Sequence, residues 1–151
     1  MNFEISQIVI TIVVVVLFLW RISYGTNNGL FAEAAGLIAV IASYFAVYYL
    51  MSITGSVLNS KFGEIAPKIG YLVVAVLVYG LMTALANALR KVKEIPILGG
   101  LDRLLGAVMG GIEAALIIYI IEFVTGFKIL GPAISACSLL FDYIRKNFIK
   151  N

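Results

Sequence analysis

Histidine is absent from this chain, and cysteine occurs once, as Cys137. The first absence removes the commonest general acid–base and the commonest metal ligand together. The second excludes a disulfide or a paired-thiol metal clamp within one chain. As a thiol nucleophile Cys137 would lack a histidine partner, so it reads as a small apolar filler. Charge is scarce as well: eleven basic and eight acidic residues in 151, for a net charge of +3. No segment has the pattern of a Walker loop, a dinucleotide-binding glycine motif, a serine nucleophile elbow or a zinc motif. The sequence therefore predicts no enzyme, no cofactor and no metal site.

What is abundant is hydrocarbon. Hydrophobic residues make up 62% of the chain and the mean hydropathy is +1.07, whereas soluble domains use ~45–50% apolar residues. Apolar stretches run from Ile5 to Trp20, Ala34 to Ser60, Ile69 to Leu89 and Leu104 to Phe127, the last interrupted by Glu113 and Glu122. Each is about as long as the ~20 helical residues that cross a bilayer. The expected fold is all-α, a polytopic membrane protein. Residues 1–128 would form a bundle of four transmembrane helices (5–24, 30–51, 69–89 and 103–126), and residues 129–151 a C-terminal amphipathic helix. Four crossings leave no room for a separate soluble catalytic or DNA-binding module. The first apolar run has no Lys or Arg before it and no small-x-small pattern after it, so it is expected to be retained and not cleaved as a signal.

The basic residues lie at the ends and connections of the apolar runs. There they meet anionic lipid head groups, an effect of about 1 kcal/mol each. The expected partners are the lipid bilayer and other membrane proteins or a second copy of the chain, with no nucleic acid. Arg21, Arg90, Lys91, Lys93 and Arg103 favour placing the first and third connections inside, while Lys128, Arg145, Lys146 and Lys150 argue the other way.

Local signals punctuate the helices. Trp20 and Tyr24 beside Arg21 have the composition of an interfacial anchor, with the arginine snorkelling to the head groups. Gly25-Thr26-Asn27-Asn28-Gly29 reads as a polar turn. Glu33, in the first turns of the next helix, fits a capping or interfacial charge or a functional carboxylate. Ala35, Ala39 and Ser43, and later Gly80, Ala84 and Ala88, recur every four residues, a spacing that lets backbones approach closely. Between them, Ser52 to Pro67 reads as a surface loop. Pro96 and Gly99-Gly100 break the pattern, and Asp102 is placed to cap a helix beginning near Arg103. After Gly131-Pro132, the stripe Ile134, Cys137, Phe141, Ile144 and Phe148 lies opposite Ser135, Asp142, Arg145 and Lys146. That helix is expected in the membrane surface, against the bundle, or as a dock for another protein.

The run from Gly99 to Glu113, GGLDRLLGAVMGGIE, resembles the hallmark segment of the colicin V production protein family. That signature is a leucine-aspartate-arginine-leucine-leucine-glycine stretch opening the last hydrophobic helix, with a second glycine four residues on. Asn28-Gly29-Leu30-Phe31-Ala32-Glu33 is similar to the family's other landmark, a glycine and a glutamate flanking an aromatic before the second helix. The likeness covers roughly residues 25–124. Where the family commonly has basic residues around that landmark, this chain has Asn28 and Ala32. Gly29, Glu33, Asp102, Arg103, Gly106 and Gly110 carry the motif and the helix packing. The resemblance implies an integral, multi-pass protein of the bacterial inner membrane. It further implies a part in production or export of a peptide toxin (a bacteriocin), or in a related envelope process, through protein partners.

At ~100° per residue Gly106, Gly110 and Glu113 fall within about 60° of one another, so the carboxylate shares the close-packing face and points into the bundle. A charge at membrane depth costs at least ~2.5–3.5 kcal/mol unless a partner, water or a proton relieves it. Counting equal depth along the other helices reaches Thr11, Ser43, Tyr44, Tyr79 and Thr83, a candidate polar cluster around Glu113. Glu122 falls on the opposite face, near the far interface, and is expected to be solvated. Two readings remain open: the hydroxyls satisfy one mostly protonated glutamate and fix helix register, or the cluster binds a proton or small solute. The second reading would make the chain a subunit of an oligomeric channel or proton-linked small-solute transporter with Glu113 at its centre.

Overall fold

The computed structural model describes residues 5–92 and 99–148. Lys93, Pro96 and Lys150 lie outside the described residues. Among the described residues four helices follow one another, α1 (Ile5–Phe62), α2 (Ile65–Val92), α3 (Gly99–Thr125) and α4 (Leu130–Phe148). The fold is all-α, with no strand among the described residues. Three of the helices, α1, α2 and α3, are long and apolar enough to cross a membrane.

The 58 residues of α1 would extend about 87 Å if straight, nearly three times the ~30 Å hydrocarbon thickness. The helix is instead broken at Gly29, where φ is 80° and ψ 175°, a conformation essentially reserved for glycine. Both arms run along α3. From the first arm, Gly25 meets Gly106, the Arg21 backbone meets Gly110, and Val14 clusters with Ile118. From the second, Gly36 meets Glu113, and Val40 and Val47 cluster with Ile120 and Val124. As numbers rise along α3 they fall along the first arm and rise along the second, so the chain doubles back at Gly29.

The expected turn over residues 25–29 therefore shrinks to one residue. The Thr26 hydroxyl donates to the Ile22 carbonyl (2.8 Å) and the Asn28 amide to that of Tyr24 (2.9 Å), which keeps these polar residues helical up to the break. The Ser52 to Pro67 segment is also largely helical and not a surface loop. Hydroxyls of Ser52, Thr54 and Ser60 bond back to carbonyls of Tyr49, Leu50 and Val57, and the helix ends only at Phe62, before Gly63 at φ 72°. Pro67 sits in the first turn of α2, where its missing N–H leaves no bond unmade.

Asp102 caps a different helix from the one its sequence position suggests. α3 begins at Gly99, and the Asp102 Oδ1 accepts a hydrogen bond of 2.9 Å from the Leu30 N–H, the first of the second arm after the break. Asp102→Ala is expected to lower unfolding stability by about 1 kcal/mol, read as a lower thermal midpoint in detergent. Asn at this position retains an accepting oxygen and should recover most of the loss.

A second core joins the second arm, α2 and α3 through Val40, Val47, Tyr71, Ala75, Ile120 and Val124. Lys68 Nζ reaches the Thr125 carbonyl at 3.2 Å, tying the start of α2 to the end of α3. The small residues on α2 do not serve this contact: Gly80 and Ala84 are exposed, and a Cβ on Gly80 would meet nothing within 4 Å. On the second arm Ala39 and Ser43 are buried and Ala35 half-buried. α4 meets the bundle near its start, where Ala133 packs with Val14 and Ile118. Ile134, Cys137, Phe141 and Ile144 are exposed, so Cys137 fills no core. Glu122 is not simply solvated: its Oε1 accepts from the Leu130 N–H at 2.6 Å and from the Ile129 N–H, capping α4.

Candidate functional site

The close approach of α1 and α3 is made by glycines. A Cβ on Gly25 would overlap the Gly106 carbonyl oxygen, one on Gly106 the Gly25 carbonyl oxygen, and one on Gly110 the Arg21 carbonyl oxygen. A Cβ on Gly36 would overlap the Glu113 carboxylate. These four positions bring three helical segments together around a few polar side chains.

At their centre is Arg21, 5% exposed, between Glu33 and Glu113, both 0% exposed. Arg21 Nη2 lies 3.0 Å from Glu33 Oε2 and also against Glu113 Oε2. Tyr79, from α2, donates its hydroxyl to Glu113 Oε1 at 2.8 Å. The Arg21 Cζ is 5.0 Å from the Tyr24 ring centroid and 5.9 Å from that of Trp20. Those rings are exposed and cover the guanidinium from outside. Glu113 sits at the middle of α3, and the cluster combines one basic side chain with two acidic ones.

Arg21 is thus a buried counter-ion and not a snorkelling anchor, and Glu33 is neither a cap nor an interfacial charge. The glycines allow α3 to come so near that the arginine turns inward, where two carboxylates replace its water. Of the hydroxyls grouped around Glu113 by depth, Tyr79 reaches it. Thr83 donates to the carbonyls of Tyr79 (2.9 Å) and Gly80 (3.0 Å), Ser43 to that of Ala39 (2.7 Å) and Thr11 to that of Gln7 (2.7 Å). A short hydroxyl side chain on a helix in an apolar setting finds its own preceding carbonyl first. Tyr44 belongs to an aromatic group, with ring centroids 5.3 Å from Phe123 and 5.9 Å from Tyr119. Of the motif residues, Gly29, Asp102, Gly106, Gly110 and Glu33 all lie in the joint between α1 and α3, whereas Arg103 is exposed.

Equal depth could not reveal Arg21 and Glu33 as the partners. They stand twelve positions apart and meet because the chain reverses between them. A signal was present: Glu33, Gly36, Val40, Ser43 and Val47 fall at three- and four-residue intervals and form one buried face. A carboxylate on the small-residue face of one helix, with another on that of α3, calls for a cation on a third.

A family model described as Colicin V production protein matches residues 10–145. No curated protein and no solved structure matches the chain.

Proposed function

The chain belongs to the colicin V production protein family, and from that premise we propose a non-enzymatic, four-pass protein of the inner membrane. It acts in production or export of a peptide toxin, or in a related envelope process, through other membrane proteins or through copies of itself. The observation that carries this reading is where the motif residues lie. Gly29, Glu33, Asp102, Gly106 and Gly110 are spent on holding α1 to α3, a use that supports a scaffold within the bilayer. The reversal at Gly29 supports two crossings by α1, and with α2 and α3 this makes four. The exposed apolar side chains of α4, Ile134, Phe141 and Ile144, support a helix lying along the membrane surface.

The test joins genetics to biochemistry. A strain lacking the chain should release less toxin, and the protein extracted in mild detergent should retain a membrane partner or a second copy. Normal release, together with purification as a lone monomer, would sink the proposal.

The buried ion cluster favours a second reading, in which the chain is a subunit of an oligomeric channel or proton-linked carrier centred on Glu113. Liposome flux that Glu113→Gln abolishes supports it. A wild-type protein that conducts nothing, or a mutant of unchanged flux, disposes of it.

A further inference from the structure

The ionisable groups of the buried cluster come from each segment packed there: Arg21 from the first arm of α1, Glu33 from the second, Tyr79 from α2 and Glu113 from α3. With every acid ionised, one positive charge faces two negative ones, away from water. An unbalanced charge at membrane depth costs at least ~2.5–3.5 kcal/mol. Two carboxylates crowded onto one nitrogen also repel each other.

A second observation points to what relieves this. Glu33 Oε1 is buried without a hydrogen-bond partner, and Glu113 Oε2 takes part in no hydrogen bond although it lies against the guanidinium. The Oε2 atoms of both carboxyl groups lie against the same guanidinium nitrogen, Arg21 Nη2, so the two groups are neighbours. Tyr79 occupies the other oxygen of Glu113, leaving Oε2 on the side of Arg21, whose same nitrogen meets Glu33.

We infer that the Arg21–Glu33–Glu113 cluster is a binding site for one proton, shared between the two carboxyl groups. One carboxylate balances Arg21, and the other group is a carboxylic acid whose O–H is donated across to its neighbour. Binding converts one carboxylate oxygen to a hydroxyl. The proton comes from bulk water and returns to it on release, and no other bond is made or broken. The inference goes beyond the transport reading, since a resident proton requires no flux.

Infrared spectroscopy of the full chain in lipid vesicles at neutral pH tests it on the wild type, Glu33→Gln and Glu113→Gln. The wild type should show the carbonyl stretch of an un-ionised carboxylic acid, shifted in deuterium oxide. Either single substitution should remove that band completely, because the remaining carboxyl then has Arg21 to itself and ionises. A wild-type spectrum without the band overturns the proposal, whether or not the variants fold. So does a band that is unchanged in the variants, or halved in each as for two separately protonated acids. A band that behaves as expected in a protein without liposome flux keeps the proton site and rejects the carrier.

Discussion

Arg21→Met should destabilise the protein by about 3–5 kcal/mol, the scale of removing one partner from a buried ion pair. Methionine fills much the same volume, so the loss is chiefly electrostatic. Glu33 and Glu113 remain fully buried with no cation between them, and must either repel each other or take up a further proton. Unfolding titrations in detergent micelles would read the change. The triple variant Arg21→Met, Glu33→Gln, Glu113→Gln should be more stable than Arg21→Met alone, because it no longer carries uncompensated carboxylates. A loss below about 1 kcal/mol for Arg21→Met, the scale of an exposed pair, would show that the arginine is hydrated and that the cluster does not exist as described.

Substitution of the α3 glycines should have the next largest effect, with a sign that depends on which glycine is changed. At Gly106 and Gly110 the obstacle to a Cβ is a backbone carbonyl of α1, which no side-chain rotation can clear. Gly106→Ala or Gly110→Ala should therefore cost about 1–3 kcal/mol as overpacking, and Leu at either site should force α3 away from the hairpin and open the ion cluster. Gly111, on the same helix, is the control. A Cβ there would touch Ile22 at 3.7 Å, an ordinary contact, and alanine is the better helix former by roughly 0.8–1 kcal/mol. Gly111→Ala should thus be neutral or stabilising. Equal losses at Gly106, Gly110 and Gly111 in a thermal unfolding series would mean that helix separation is not set by these contacts.

These expectations separate two kinds of information in the chain. The motif glycines and Glu113 are legible from spacing, because 3.6 residues per turn places Gly106, Gly110 and Glu113 on one face whatever they meet. Helix ends are less legible. Polar residues at 25–28 and 52–60 look like loops on composition, yet their side chains bond to the preceding turn and prolong α1. Asp102 has the identity of a cap, but which N–H it serves depends on Gly29 lying beside it in space.

From the sequence alone came the membrane as solvent, an all-helical chain, the family motif and an inward-facing Glu113, because hydropathy and helical period are local properties. Tertiary structure alone decided that Arg21 and Glu33 meet Glu113, that Asp102 caps the second arm of α1, and that Thr11, Ser43 and Thr83 are satisfied within their own helices. The physical reason is the reversal at Gly29. One backbone conformation open to glycine folds α1 onto itself, and the charges that then face each other share no periodicity along the chain.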